Sequence, residues 1–262
     1  MQTVWERCLD AHIEGAVNFR DLGGYAAGEG RVRPGLLYRS GMTHGISSAG
    51  LRVLRERLAI RTVIDLRAPR EAHQEGIAPF HALGIARHGV PVVSAALPDD
   101  EFRRQIAARF SGTFDWAASY RRMLDEGQAT FRYVCEVLTE PGALPAVIHC
   151  TAGRDRTGVV AALLLAVLGV ADAEIARDYA LSGAYLRPHL PRFARLAEQA
   201  GIDAERLARA LDTSEEAMAA CLAYLRARYG SAEAYLRAAG VSAERLHRLR
   251  TVLLEPSMPA GG

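Results

Sequence analysis

The sequence predicts an α/β fold: a largely parallel central sheet flanked by helices, followed by an all-helical C-terminal elaboration. Three observations predict it. In the first part of the chain, runs such as IRTVIDL (60–66) and PAVIHC (145–150) alternate with stretches of helical spacing, the order that puts helices between parallel strands. From Asp172 onward Ala, Arg, Glu and Leu dominate, and apolar residues recur at three- and four-residue steps, as in EIARDYALSGAYL and AMAACLAYLRARYG. With 262 residues, 50 % of them hydrophobic, the chain can also enclose a large core.

Each element has its own reason. Leu36 to Arg39 is a short apolar stretch after the turn-rich GEGRVRPG, and Leu51 to Leu58 has helical spacing with Ser47 or Ser48 as N-cap. Ile60 to Leu66 is β-branched and reads as a buried strand, and Val90 to Val93 as another. Phe102 to Leu138 is expected to be mostly helical, interrupted near Gly112 and Gly127. A Pro-Gly turn introduces the strand Pro145 to Cys150, and a helical pattern then runs unbroken to Leu168. Pro188 and Pro191 break the helical third near its middle, Asp203 and Ser242 are caps for later helices, and the tail EPSMPAGG is expected to fray. No Pro-, Gly- or Ser-rich linker and no repeat divides the chain. We therefore expect one domain over 1–262, with an α/β core at 12–170 and a helical extension at 171–255.

Composition excludes several classes. The longest apolar run, Val159 to Val170, has roughly twelve residues and is broken by Gly169, too short to span a bilayer. MQTVWERCLD lacks the layout of a secretory signal. All 32 basic residues are Arg, a pattern that coding bias explains, and they are interleaved with 30 acids to a net charge of +2. No basic face points to nucleic acid. Cys8, Cys135, Cys150 and Cys221 lie far apart with no CxxC pair and no His at metal spacing. Reduced thiols, no metal, no cofactor and a cytoplasmic location are the expectation.

The segment that carries chemistry is VIHCTAGRDRTG (147–158). A strand ends at Cys150, a loop of small residues follows, and a helix starts near Thr157. Such a turn aims backbone N–H groups and a helix N-terminus into one concavity, an anion site. Helix dipole, loop amides and neighbouring guanidinium groups favour a thiolate there. Arg156 offers a bidentate fork to phosphate oxygens. Thiolate attack on phosphorus, followed by hydrolysis of the phosphocysteine, is the natural reaction. A Cys with Arg six residues on arises readily by chance in so Arg-rich a chain. The added His149, Gly153 and Thr157 make the pattern specific. Gly153 has two explanations, close approach of the loop to phosphate or a backbone angle only Gly tolerates.

These residues resemble the protein tyrosine phosphatase superfamily, whose signature HCxxGxxR-S/T stands here as His149 to Thr157. The resemblance is closer to a bacterial atypical branch, the secreted mycobacterial and listerial phosphatases, which read HCxAGKDRTG. NFRDLGGY (18–25), LYRSG (37–41), TVIDLR (62–67) and GSAEAYLRAAGVSAERLHRLR (230–250) extend it over about residues 12 to 255.

The resemblance implies a phosphatase-type sheet and a set of roles. Cys150 is the nucleophile, Arg156 holds the phosphoryl oxygens, and Thr151, Ala152, Gly153, Arg154 and Asp155 line the phosphate. Thr157 caps the helix and turns its hydroxyl to the thiolate, and His149 orients the loop. Expelling a tyrosine oxygen needs a proton. No Trp-Pro-Asp is present, the two Trp being Trp5 and Trp116. The branch carries an Asp inside the loop, which makes Asp155 the candidate acid, with Asp99 and Asp100 in LPDDEF as runners-up. Arg154 replaces a Lys that accompanies phosphoinositide activity in the branch. Asn18, Arg20 and Asp21 match a motif of the family and Asp65 and Arg67 end a predicted strand, where ligands sit in α/β sheets; Asp and Arg together read instead as structural ion pairs, and Cys8, Cys135 and Cys221 as inert. Ala184 to Asp212 is either a lid, as in the branch, or a packed surface layer. The implied function is hydrolysis of phosphotyrosine in proteins, extending to phosphoserine and phosphothreonine. Rivals are a phosphoinositide phosphatase using the same loop, a sulfurtransferase, and a non-catalytic phosphopeptide-binding module. The resemblance leaves export without a recognisable signal open.

Overall fold

The computed structural model describes residues 13–28, 30–92, 104, 107–110, 113–199, 202–211 and 213–256. Its main sheet has five strands in the order β1 (Arg20–Asp21), β4 (Leu37–Ser40), β7 (Ala146–His149), β5 (Thr62–Asp65) and β6 (Ala86–Gly89). β4, β7, β5 and β6 run parallel, and β1 pairs antiparallel with β4 at one edge. β4, β5 and β7 are buried at every position, as strands covered on both faces must be, with the polar Arg39, Ser40, Asp65 and His149 gathered at their carboxyl ends. β2 (Ala26–Ala27), β3 (Gly30–Val32) and β8 (Leu254–Pro256) form a second, antiparallel sheet.

One face of the main sheet carries α1 (Ser48–Arg52), a wider turn at Val53–Arg57 and a 3-10 turn at Phe80–Leu83, packed through Leu54, Ile60, Val63 and Phe80. Ser47 caps α1, accepting from the Gly50 N–H at 3.1 Å, as the sequence predicts. α2 (Pro69–Glu75) follows β5. The other face carries α3 (Trp116–Glu126) and α4 (Gln128–Leu138), parted at Gly127, and α5 (Asp155–Leu168). From Thr157 to Leu168 α5 is buried except at Ala166, so it packs on all sides inside the largest apolar cluster. α6 (Asp172–Leu186), a turn at Arg187–His189, α7 (Leu190–Gln199), α8 (Ala204–Leu211), α9 (Glu215–Tyr229), α10 (Ala232–Ala238) and α11 (Ala243–Leu253) complete the helical third. Asp203 accepts from the Arg206 N–H at 2.8 Å and Ser242 from that of Arg245 at 3.2 Å, the expected caps.

Three expectations are corrected. The strand placed at Val90 to Val93 lies at Ala86–Gly89. It is an edge strand, largely exposed, and carries no apolar run; Val90 and Val92 only trail it, donating to Asp65 O and Leu66 O, and Val93 is outside the described residues. The tail does not fray at once, because Leu254–Pro256 pairs with β3 and Arg31 binds Glu255. The helix after the loop begins at Asp155, two residues before the expected start, so Thr157 lies inside its first turn and does not cap it. Gly112 lies outside the described residues.

Candidate active site

β7 is the middle strand, and its carboxyl end delivers Cys150 to the rim of the sheet, where ligands gather in parallel α/β folds. The loop beyond it has its carbonyls pinned outward. Met42 N donates to Thr151 O at 2.8 Å, and Asn18 Nδ2 donates to Ala152 O and Gly153 O at 3.1 and 2.9 Å. Arg39 Nη2 donates to Gly153 O at 2.8 Å. With those oxygens engaged, the amides of Thr151 to Asp155 have no acceptor among the described residues, the arrangement of an anion nest.

Gly153 has φ +67°, and a Cβ there would lie 2.4 Å from Ser40 O and 2.5 Å from Gly41 N. Backbone angle and contact with the end of β4 therefore both require glycine, whereas phosphate approach is not needed to explain it. Gly153→Ala is expected to push the loop off β4, lowering Tm and cutting phosphate release by on the order of 10²-fold; a variant equal to wild type in a melt and a rate assay refutes this.

Beneath the loop lies a buried network. Arg20 Nε donates to Asp178 Oδ1 at 3.0 Å and Arg20 Nη2 to Ser182 Oγ at 3.1 Å, while Arg20 also binds Asn18 and Arg39 binds Asp178 Oδ2. Tyr25 OH donates to Asp178 Oδ1 at 3.0 Å. Asp21 receives the Gly23 and Gly35 N–H groups at 2.7 and 2.6 Å and shapes a turn. On the other side Arg67 grips Asp65 with Nε at 2.9 Å and Nη2 at 2.8 Å. His149 Nε2 stands 3.6 Å from that carboxylate and its Nδ1 3.3 Å from Cys150 O. Burial pushes His149 down to about 4, more than Asp65 pulls it up, so the ring is neutral.

Arg156 extends Nη1 and Nη2 to Glu71 Oε2 and Oε1 at 2.6 and 2.9 Å, and Nη2 lies 3.3 Å from Thr151 Oγ1. Glu71 is placed by its own helix, since Oε2 also accepts from the Ala68 N–H at the start of α2, at 2.8 Å. Burial raises the Glu71 carboxyl, but Arg156 outweighs it and holds the group below its ordinary range. One turn on, Glu75 is raised by burial and accepts from Thr151 Oγ1 at 2.9 Å. Asp155 Oδ1 accepts from Tyr120 OH at 2.5 Å and Arg154 Nε at 3.0 Å. Arg154 is engaged throughout: it donates to Ala210 O and lies 4.4 Å over the Trp116 ring. Thr157 Oγ1 is buried with no hydrogen-bond partner among the described residues.

Cys150, Arg156 and Asp155 share one cavity of about 250 Å³ with Glu71, and Phe193 from α7 and Leu207 from α8 close its other side. Residues 11–255 match the sequence profile described as the tyrosine phosphatase family. The chain belongs to the tyrosine phosphatase family. It is 32 % identical over 261 residues to the triple specificity protein phosphatase PtpB of Mycobacterium tuberculosis, covering 82 % of this chain and 92 % of that one. A Cupriavidus necator protein named provisionally as a tyrosine-protein phosphatase is 37 % identical over 167 residues, spanning 62 % of this chain and 59 % of the relative's length. Among solved structures, the catalytic core of the S. cerevisiae PP-IP phosphatase SIW14 matches at TM-score 0.36 and 16 % identity, over 68 % of this chain and 93 % of that one.

Within this family member the structure brings Cys150, Thr151, Ala152, Arg154, Asp155 and Arg156 to one cavity. Asp99 and Asp100 lie outside the described residues, as does Cys8. Cys135 and Cys221 are free and buried, both pushed up to about 12 by burial. Sequence reasoning missed Glu71, Glu75, Tyr120, Arg39 and Asp178. A signal existed for Asp178: Ile175, Asp178, Tyr179, Ser182 and Leu186 form the buried stripe of α6, an acid where an apolar residue belongs. Among the described residues no helix is long and apolar enough to cross a membrane.

Proposed function

We propose that the protein hydrolyses phosphotyrosine in proteins through a phosphocysteine intermediate, and accepts phosphoserine and phosphothreonine as well. The observation that carries the reading is the meeting of Cys150, the unpaired loop amides, Arg156 and Asp155 in one cavity. The amides and the remaining Arg156 N–H donors hold the phosphoryl oxygens. The Cys150 thiolate attacks phosphorus, the bond from phosphorus to the tyrosyl oxygen breaks, and Asp155 gives that oxygen its proton. A water then attacks the phosphocysteine, its proton passes to the Asp155 carboxylate, and the P–S bond breaks. Inorganic phosphate leaves and the thiolate is restored. Trp116, Phe193 and Leu207 offer apolar walls to a phenyl ring, and α7 with α8 serves as a lid that must open to admit a protein chain. A wider range agrees with the triple specificity that names the mycobacterial relative. A cytoplasmic location is part of this reading and agrees with the free Cys135, Cys150 and Cys221.

The test compares a phosphotyrosine peptide with p-nitrophenyl phosphate, whose leaving group needs no proton. Asp155→Asn is expected to slow cleavage of the peptide by about 10²–10⁴-fold and to spare the first burst of nitrophenolate from the aryl phosphate, whose later turnover needs Asp155 as base. Equal slowing of peptide cleavage and of the nitrophenolate burst removes Asp155 as the acid. Wild type that releases no phosphate from the peptide, or that transfers sulfur from thiosulfate instead, overturns the reading. A phosphoinositide is the second reading, favoured by Arg109, a cation that lines the cavity with Asp155 and Glu71 and would face a second phosphate. A soluble phosphoinositide assayed beside the peptide separates the two.

A further inference from the structure

Two buried tyrosines stand behind the candidate acid and belong to no motif. Tyr120, on α3, is fully buried and donates its hydroxyl proton to Asp155 Oδ1 at 2.5 Å. That proton is thereby committed. The short contact between the two phenol oxygens must then be a donation from Tyr179, on α6, to Tyr120. The result is a directed chain, Tyr179 to Tyr120 to Asp155. Arg154 Nε donates to the same carboxylate oxygen at 3.0 Å. Oδ1 thus takes both donors, and Oδ2 accepts none from the described residues, although Asp155 lines the cavity beside Cys150.

We propose that Tyr120, backed by Tyr179, is a positioning residue for proton transfer: with Arg154 it fixes Asp155 by Oδ1 and leaves Oδ2 as the oxygen that carries the proton to the leaving group. The proposal rests on Asp155 being the acid. The chain also serves the second half of the reaction. A carboxylate held by two donors stays ionised once its proton has gone, ready to accept one from the attacking water.

The charged and titratable groups around Asp155 are Arg154 in the loop, Arg156 beside it on α5, Arg109 before α3, Tyr120 on α3 with Tyr179 on α6 behind it and, in the same cavity, Cys150 after β7 and Glu71 on α2. Burial raises the Asp155 carboxyl, but Arg154, Arg109 and the Tyr120 hydrogen bond outweigh it and hold the group below its ordinary range. Tyr120 itself is raised well above an ordinary phenol by burial, so it remains a donor across the working range. Protonated Asp155 is the active form in the first step. Phosphotyrosine turnover must therefore fall as pH rises through the Asp155 pKa, and removing a donor to the carboxylate must move that limb to higher pH.

Tyr120→Phe keeps the ring and removes the hydroxyl. We expect kcat on a phosphotyrosine peptide to drop about tenfold with KM little changed. The basic limb of kcat/KM should move up by roughly one unit, while the first burst of nitrophenolate from p-nitrophenyl phosphate, which needs no acid, stays near wild type. Tyr179→Phe leaves the direct donor in place and should shift the limb the same way by less; it carries the test if Tyr120→Phe does not fold. A Tyr120→Phe enzyme that melts like wild type and keeps its pH limb and its leaving-group dependence overturns the proposal. So does one that loses peptide cleavage and the nitrophenolate burst equally, which is the mark of a packing role. Asp155→Asn run alongside separates the failures: if it turns over the peptide at the wild-type rate, the acid assignment has failed and not merely the role of Tyr120.

Discussion

Cys150→Ser is expected to abolish phosphate release, with a loss on the order of 10⁴-fold or more on any phosphomonoester. Cys150 is 2 % exposed at the floor of the cavity, and exchange of sulfur for oxygen changes its volume little. What changes is the nucleophile. A serine hydroxyl is no alkoxide near neutral pH, and a general base would have to activate it. His149 is neutral, but its Nδ1 faces the Cys150 carbonyl and its Nε2 faces Asp65, so no imidazole nitrogen is placed to take the proton. The loop amides and Arg156 are untouched, so the variant should still bind inorganic phosphate with affinity close to wild type, read by calorimetry. Acid-quenched wild type, caught during turnover, should carry one phosphoryl group by intact mass, and the variant none. Release by Cys150→Ser at the wild-type rate would falsify the thiolate mechanism and return the loop to a binding role.

The reach of the sequence differs between elements for physical reasons. β5 and β7 are buried on both faces, so Thr62–Ile64 and Ala146–Ile148 are apolar or β-branched and could be read locally, while the buried polar Asp65 and His149 stand at their carboxyl ends. β6 and β8 lie at edges, where Arg87, His88 and Glu255 meet solvent or partners, and no pattern marks them. β8 finds its partner more than two hundred positions away, through Arg31↔Glu255, a pairing to which no local signal points. Around the site, the residues proposed to meet phosphate were legible because chemistry restricts them within one loop. The groups that hold them were not. Glu71, Tyr120 and Asp178 come from three helices, and in sequence each resembles an ordinary helical position. Asn18 and Arg20 were read as structural, and they are, but the structure they hold is the 150–156 loop itself.

Asp178→Asn should be among the most destabilising single changes in the chain. Its carboxylate faces Arg20 and Arg39, and both guanidinium groups are 0 % exposed. The substitution preserves shape and removes the charge, leaving two buried cations without a counter-ion, at a cost of about 3–5 kcal/mol. Against a typical total of about 5–15 kcal/mol, such a loss should lower Tm by roughly 10 °C. The consequence for catalysis is direct, because Arg39 also holds the Gly153 carbonyl. A displaced Arg39 frees that carbonyl to turn inward, where it would repel phosphate. Activity should therefore fall at temperatures well below the melt. The pH dependence follows from the same pair. Burial raises the Asp178 carboxyl, but Arg20 and Arg39 outweigh it and bring it to about 2. The folded value lies below the unfolded one near 3.9, so the unfolded chain takes up the proton first as pH falls. The contribution of Asp178 is complete above about pH 4 and disappears as pH drops toward 2. Melts of wild type and Asp178→Asn from pH 6 to pH 2 should thus draw together toward the acid end. Parallel curves, or a variant as stable as wild type at neutral pH, would show that the two arginines find their counter-charge elsewhere.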